Sequence, residues 1–217
     1  MVVDYNKFAK TFSESRKNMK WQEIEYFLSS LSTEKKYSFL DIWCWNWRLL
    51  KFLIEKWFNT ENYLWIDLSS WLLDEAKKFF PKNNFLELNM LDLEKINKKF
   101  DYIFLIASFH HLENIEDRKK VLNNLNNLLK NSWKIFMTNW ALNSDLNKEK
   151  YKNSIIKNSK NKFWSIDYNI KIWNFNRFYH CFSLEELNFL FKNSWFEIIE
   201  NRLFENQKNF ISIIKKK

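Results

Sequence analysis

The chain of 217 residues has no glycine and one proline, where average usage of about 7% would supply roughly 15 glycines. It carries 12 tryptophans instead. An AT-rich gene, suggested by abundant Asn, Lys, Ile and Phe, would thin out Gly and Trp alike, so base composition does not explain the pair. The expectation is an alternative genetic code: UGA encodes glycine in the gene, and the written sequence renders it as Trp. Cysteine is almost absent too. Cys44 and Cys181 stand far apart, which excludes a disulfide framework and a paired-CxxC zinc site, and points to free thiols in a reducing compartment. No run of about 18 apolar residues occurs, and the N-terminus lacks a charged-then-apolar signal. A cytoplasmic protein with no membrane partner and no metal is expected. Acids are outnumbered, with 26 Asp and Glu against 35 Lys and Arg; the net charge of +9 favours a polyanionic partner such as nucleic acid, although much of this lysine solvates helix faces.

The length suits one domain, residues 1–217. Residues 1–35 read as N-terminal helices, with Tyr5, Phe8, Ala9 and Phe12, then Ile24, Phe27, Leu28 and Leu31, at helical spacing. From Lys36 strands and helices alternate, which predicts an α/β fold with a mostly parallel sheet covered on both faces. Strands are expected at 37–42, 63–67, 85–88, 102–107 and 134–139, and helices at 46–56, 70–80 and 115–130. Residues 36–142 form this core. Residues 143–178, rich in Lys and Asn, read as a basic insertion or lid. Residues 179–217 supply a helix capped by Ser183, with Glu186 as its capping-box partner, and two strands at 196–203 and 210–214.

The most informative stretch is Asp41-Ile42-Trp43-Cys44-Trp45-Asn46-Trp47-Arg48. With glycine at each tryptophan it becomes a strand, a small-residue loop and a helix start. Such a loop lets a ligand approach backbone amides because no Cβ intervenes. The third small position follows the second after two residues rather than three, which argues against a dinucleotide fingerprint. The spacing also argues against an aromatic platform for stacked bases. Asp67 ends the next strand about twenty residues on, where an acid can accept ribose hydroxyls. Asp92 follows the third strand and is placed to meet an adenine amino group.

These motifs resemble the class I S-adenosylmethionine-dependent methyltransferases over residues 36–217. The resemblance implies a Rossmann-like sheet of seven strands with the last one antiparallel. It implies S-adenosyl-L-methionine as cofactor, held by Asp41, Trp43, Cys44, Trp45, Asn46, Trp47, Asp67, Leu68, Leu91, Asp92 and Ser108. Trp133 matches another family glycine, before the fifth strand. A narrower resemblance is carried by Tyr5-Asn6, Ser15-Arg16, Trp21, His110-His111-Leu112, Asn139-Trp140-Ala141-Leu142 and Arg177-Phe178-Tyr179-His180, which are similar to the tRNA wobble-uridine carboxymethyl methyltransferases. It implies tRNA as partner, and relatives that work with a small zinc-binding activator protein. It also marks Trp21, Trp140 and Trp173 as true tryptophans, positions 43, 45, 47, 65, 71, 133 and 195 as recoded glycines, and leaves 57 and 164 open.

A substrate carboxylate is already a competent nucleophile, so such an enzyme needs alignment rather than a strong base. Arg16, His110, His111, Arg177, Tyr179 and His180 are the expected substrate-orienting residues, with Trp140 or Tyr179 stacking on an extruded base. Two other readings stand beside this one: O- or N-methylation of a small molecule, and a fold without activity if the loop tryptophans are real.

Overall fold

The computed structural model describes residues 21–43, 47–172 and 175–217. Arg16, Cys44, Trp45, Asn46, Trp173 and the first expected helix lie outside them. The central sheet has seven strands in the order β3-β2-β1-β4-β5-β9-β8. These are β1 (Phe39–Ile42), β2 (Tyr63–Asp67), β3 (Asn84–Glu87), β4 (Phe100–Ile106), β5 (Leu129–Trp140), β8 (Phe196–Leu203) and β9 (Asn209–Lys216). Pairing is parallel from β3 through β5, while β9 runs antiparallel to both β5 and β8. The chain order reverses between β1 and β4, which leaves a crevice at the C-terminal ends of these strands.

Both faces of the sheet are covered because the strands are apolar on both sides. Phe39, Tyr63, Phe104 and Phe136 pack against α1 (Gln22–Ser29), α2 (Arg48–Glu55) and α3 (Ser70–Phe79), through Phe27, Leu50, Leu53 and Leu73. Leu40, Ile42, Ile103 and Met137 face α4 (Ile115–Leu128) and α6 (Leu184–Asn193), through Val121, Leu125, Leu187 and Phe191. A short helix, α5 (Lys148–Tyr151), opens the segment after β5.

The 143–178 segment, read as a basic insertion or lid, holds most of an antiparallel hairpin, β6 (Ile166–Ile172) and β7 (Phe175–Cys181), where the sequence pattern predicts no strands. One sequence expectation is corrected. Ser183 does cap α6, accepting from the Glu186 amide at 3.1 Å, but the Glu186 carboxylate does not return to the cap. It is drawn instead to His180, Arg118 and Asn161, a stronger set of donors than one amide.

The backbone also bears on the tryptophans. Among the described residues nine have φ in the left-handed region, and five of these are Trp43, Trp47, Trp57, Trp164 and Trp195. A side chain with a Cβ makes this conformation costly, and bulky residues rarely adopt it. Trp57 occupies the position just past the α2 C-cap. Its amide donates to Ile54 O at 3.0 Å and the Phe58 amide to Leu53 O at 2.9 Å, the paired bonds of a Schellman ending, where glycine is the usual residue. Trp195 stands at the same place after α6, one residue past the Ser194 C-cap. At 133 the left-handed residue is the neighbouring Ser132.

Candidate active site

The C-terminal ends of β1, β2, β4 and β5 converge on the crevice. Trp43 leaves β1 there, its amide donating to Ile66 O and its indole reaching Leu88 O at 3.5 Å. The side chain therefore lies across the ends of β2 and β3. Trp47 follows at the N-cap of α2 in left-handed conformation, its ring against Phe79. Asp41 sits two residues earlier on β1, buried, and accepts from the Tyr63 hydroxyl on β2.

Asp67 ends β2 and is buried. Burial pushes its carboxyl up to about 7, against the pull of the Ser69 and Leu68 amides and of the Arg177 guanidinium. The Ser69 amide donates to Oδ1 at 2.9 Å. Leu91 and Asp92 lie in a 3-10 turn after β3; the Leu91 amide is held by Asn89, and Asp92 pairs with Lys95 at 3.1 Å on the solvent side.

Beyond β4 the left-handed Ala107 turns the chain into Ser108, His110 and His111. Ala107 is fixed by Thr138, whose Oγ1 accepts from its amide at 2.9 Å. The Trp140 amide donates to His110 Nδ1 at 3.2 Å, and His111 Nδ1 donates to Phe178 O at 2.9 Å. Burial, then the charges of Arg177 and His180, hold His110 well below the usual imidazole range. Burial, Arg177 and His110 do the same to His111, opposed by its bond to Phe178.

The hairpin packs against His110, His111 and Trp140. Along β7 alternate residues face opposite ways. Tyr179 stacks on Trp140 with centroids 5.0 Å apart and planes at 18°, and meets the His111 ring edge-on at 4.6 Å. The expected stacking of these aromatics on a base is thus taken up, as the structure stands, by the two rings themselves. Arg177 lies 5.4 Å from the Tyr179 ring and is buried. On the other side of β7, His180 Nδ1 faces Asp167 at 2.5 Å and Nε2 faces Glu186 at 2.9 Å, while Arg118 reaches Glu186 from α4 at 3.2 Å. Hydrogen bonds and the charge of His180, with help from Ser165 and Asn161, overcome burial and hold Glu186 down at about 2. His180 is thus engaged on both nitrogens and clasps the hairpin to α6.

His110, His111, Arg177 and Tyr179 come together in one buried cluster, with Asp67 within the electrostatic reach of Arg177. Sequence reasoning named Asn139 only within Asn139-Trp140-Ala141-Leu142 and gave it no role of its own. It lies next to the last residue of β5, fully buried, with neither amide atom hydrogen-bonded among the described residues. Its signal was a polar residue closing an apolar strand. Ser108 Oγ and His110 Nε2 are likewise buried without a hydrogen-bond partner, which calls for a ligand or water at these atoms. A surface depression of about 390 Å³, lined by Leu93, Lys98, Asn124 and Leu128 among others, lies away from this cluster and contains none of the candidate residues.

Residues 40–132 match the family described as "Methyltransferase domain". No curated protein matches the chain. Solved structures do. A S-adenosylmethionine-dependent methyltransferase from Clostridium acetobutylicum ATCC 824 is 17% identical, with 98% of each chain covered and a TM-score of 0.68. A protein from Pyrococcus horikoshii OT3 is 18% identical over 96% of this chain and 92% of that one, at 0.69. The 1,6-didemethyltoxoflavin-N1-methyltransferase of Burkholderia thailandensis, with 1,6-didemethyltoxoflavin and S-adenosylhomocysteine bound, is 12% identical over 99% of this chain and 84% of that one, at 0.67. In strand order and in its antiparallel last strand, this chain has the fold of the class I S-adenosylmethionine-dependent methyltransferases.

Proposed function

We propose that the protein is an S-adenosylmethionine-dependent methyltransferase whose methyl acceptor is met by the cluster of His110, His111, Trp140, Arg177 and Tyr179. The observation that carries this reading is the buried Asp67 at the end of β2, next to the strand-order reversal and within the field of Arg177. An acid there suits a ribose diol. When bound, the cofactor supplies an electrophilic methyl group on a sulfonium.

The fit of the cofactor depends on the tryptophans. The backbone turns left-handed at 43 and 47 as a small-residue loop requires, yet the Trp43 indole lies across the ends of β2 and β3, where an adenosine would be received. The proposal therefore includes glycine at 43, 45 and 47 in the natural polypeptide. The left-handed angles at 57, 164 and 195 extend the same reading to positions that the sequence had only partly assigned. Reading the gene decides it: TGG codons at 43, 45 and 47 end the recoding argument. Calorimetric titration with S-adenosylhomocysteine should show binding to the glycine form and weak binding to the chain as written; equal affinity refutes the functional half.

The finer reading is that the acceptor is a carboxymethyl-type wobble uridine of tRNA. Its support is the resemblance at His110-His111-Leu112 and Arg177-Phe178-Tyr179-His180, together with the exposed lysines 148, 150, 152, 157 and 162 in the segment before the hairpin. Transfer of label from the cofactor to deproteinised total tRNA, abolished by RNase, is the expected result. The second reading, a small acceptor, is favoured by the burial of Arg177 and Tyr179 in this cluster. Label that survives RNase in a small-molecule fraction would establish it and overturn the tRNA reading.

A further inference from the structure

His110 and His111 are neighbours in sequence, yet the backbone holds them in opposite tautomers. The Trp140 N–H points at Nδ1 of His110, and an amide can only donate. His110 Nδ1 therefore carries the lone pair, and the ring proton of the neutral imidazole is on Nε2. That N–H is buried and meets no acceptor among the described residues. His111 faces the reverse constraint. Phe178 O can only accept, so His111 Nδ1 carries the proton and Nε2 keeps its lone pair. The rings meet edge to face, 4.3 Å apart between centroids. Buried, with Arg177 nearby, both resist protonation.

We propose that the two histidines are a donor–acceptor pair that reads a protic methyl acceptor: His110 Nε2–H holds an acceptor atom of the substrate, and His111 Nε2 receives the proton of the O–H or N–H being methylated. This rests on the methyltransferase reading above and narrows its substrate class. In the step, the substrate heteroatom forms a bond to the methyl carbon. The methyl–sulfur bond breaks with its electron pair kept by sulfur, giving the thioether. The O–H or N–H bond breaks with its pair kept by the heteroatom, and its proton passes to His111 Nε2. A weakly basic imidazole suffices because the heteroatom becomes strongly acidic as it gains the methyl group. A carboxylate acceptor brings no proton and has no use for this arrangement, so the pair favours the small protic acceptor of the second reading over the carboxymethyl uridine. Label recovered as a tRNA carboxymethyl ester overturns it.

The chain contains three histidines, so the tautomers can be read directly by long-range proton–nitrogen correlation on the ¹⁵N-labelled protein. At pH 7 His110 should show the Nε2–H pattern and His111 the Nδ1–H pattern, neither shifting toward imidazolium above pH 6. His111 with its proton on Nε2, or charged at pH 7, overturns the proposal whatever the enzyme turns over. The second arm is His111→Asn, whose amide N–H can replace Nδ1–H toward Phe178 O while deleting the Nε2 lone pair. Titration with S-adenosylhomocysteine should give unchanged affinity. Transfer of label to tRNA or to an RNA-free cell extract, whichever the wild type labels, should fall about 10²–10⁴-fold and become steeply dependent on rising pH. Unchanged transfer in His111→Asn overturns the base while leaving the methyltransferase reading intact. All arms use the form with glycine at 43, 45 and 47 as wild type, and absence of cofactor binding by that form overturns the methyltransferase reading instead.

Discussion

Replacing Trp57 and Trp195 by glycine should stabilise the protein, although large aromatic side chains are being deleted. Both indoles are mostly in solvent, 87% and 73% exposed, so little buried apolar surface is lost. Both residues stand past a helix C-cap with φ of 64° and 63°. A residue with a Cβ pays about 1–2 kcal/mol there, and glycine returns about 0.5–1 kcal/mol through its greater freedom in the unfolded chain. The net gain is about 0.5–1 kcal/mol per site, or about 1–2 kcal/mol for the pair if the sites act independently. At about 2–4 °C per kcal/mol for this size, the double variant should melt about 2–8 °C higher. The decisive control is the double alanine variant, which also removes the indoles but keeps each Cβ. Urea unfolding of the written chain, the alanine form and the glycine form should place only the glycine form at higher stability. An alanine form as stable as the glycine form would refute the conformational argument.

Asp67 should couple cofactor binding to pH: ribose hydroxyls favour its ionised form, so binding displaces a proton from a carboxyl that titrates at about 7. Affinity for S-adenosylhomocysteine should then fall as pH drops below about 7, with proton release measurable by calorimetry in buffers of different ionisation enthalpy. The same group gives a stability slope of known sign. Its folded-state value lies above the unfolded value of about 3.9, so the folded state retains a proton that the unfolded state sheds, and stability falls as pH rises from about 4 to about 7. Asp67→Asn should remove that slope in urea titrations. Arg177→Gln should raise the titration of Asp67 further and let His111 protonate more readily, both by loss of one nearby positive charge; nuclear magnetic resonance titration reads both, and unmoved values would refute the contact. His180→Ala leaves Asp167 and Glu186 facing one another beside Arg118, and should cost about 3–5 kcal/mol. Hydrogen exchange should accelerate over residues 166–181 while β1 and β2 stay protected; uniform acceleration would refute a local clasp.

Much of the architecture was legible because the strands of a two-sided parallel sheet are short apolar runs between turn signals. Tyr63–Asp67 was bounded correctly by that rule, and the acid at its end could be assigned a role before its surroundings were known. The β6–β7 hairpin was harder. Tyr168 and Ile170 alternate with Asp167, Asn169 and Lys171 as a half-buried strand should, but the surrounding Lys and Asn read as a basic insertion or lid. What made the hairpin cohere is a set of long-range partners, Asp167, Glu186 and Arg118, that come from three elements and have no joint signature in sequence. The same holds for the histidine cluster. His110 and His111 are conspicuous as a pair, but their tautomers are set by one amide and one carbonyl, from Trp140 and Phe178, which only tertiary structure brings to them. The left-handed angles at Trp57 and Trp164 were also invisible, because a recoded glycine looks like an aromatic core residue until its backbone is seen.

The alternation along β7 divides labour within a single strand. Arg177 lies beside Tyr179, which packs against Trp140 and His111, while His180 is spent on fastening. On the proposed function, the cofactor-side residues come from the ends of β1, β2 and β3 and from Ser108 after β4, and the hairpin supplies only acceptor-side residues. A lineage could then exchange that one hairpin, keep the fastening residues, and alter its substrate while leaving the proposed cofactor side in place.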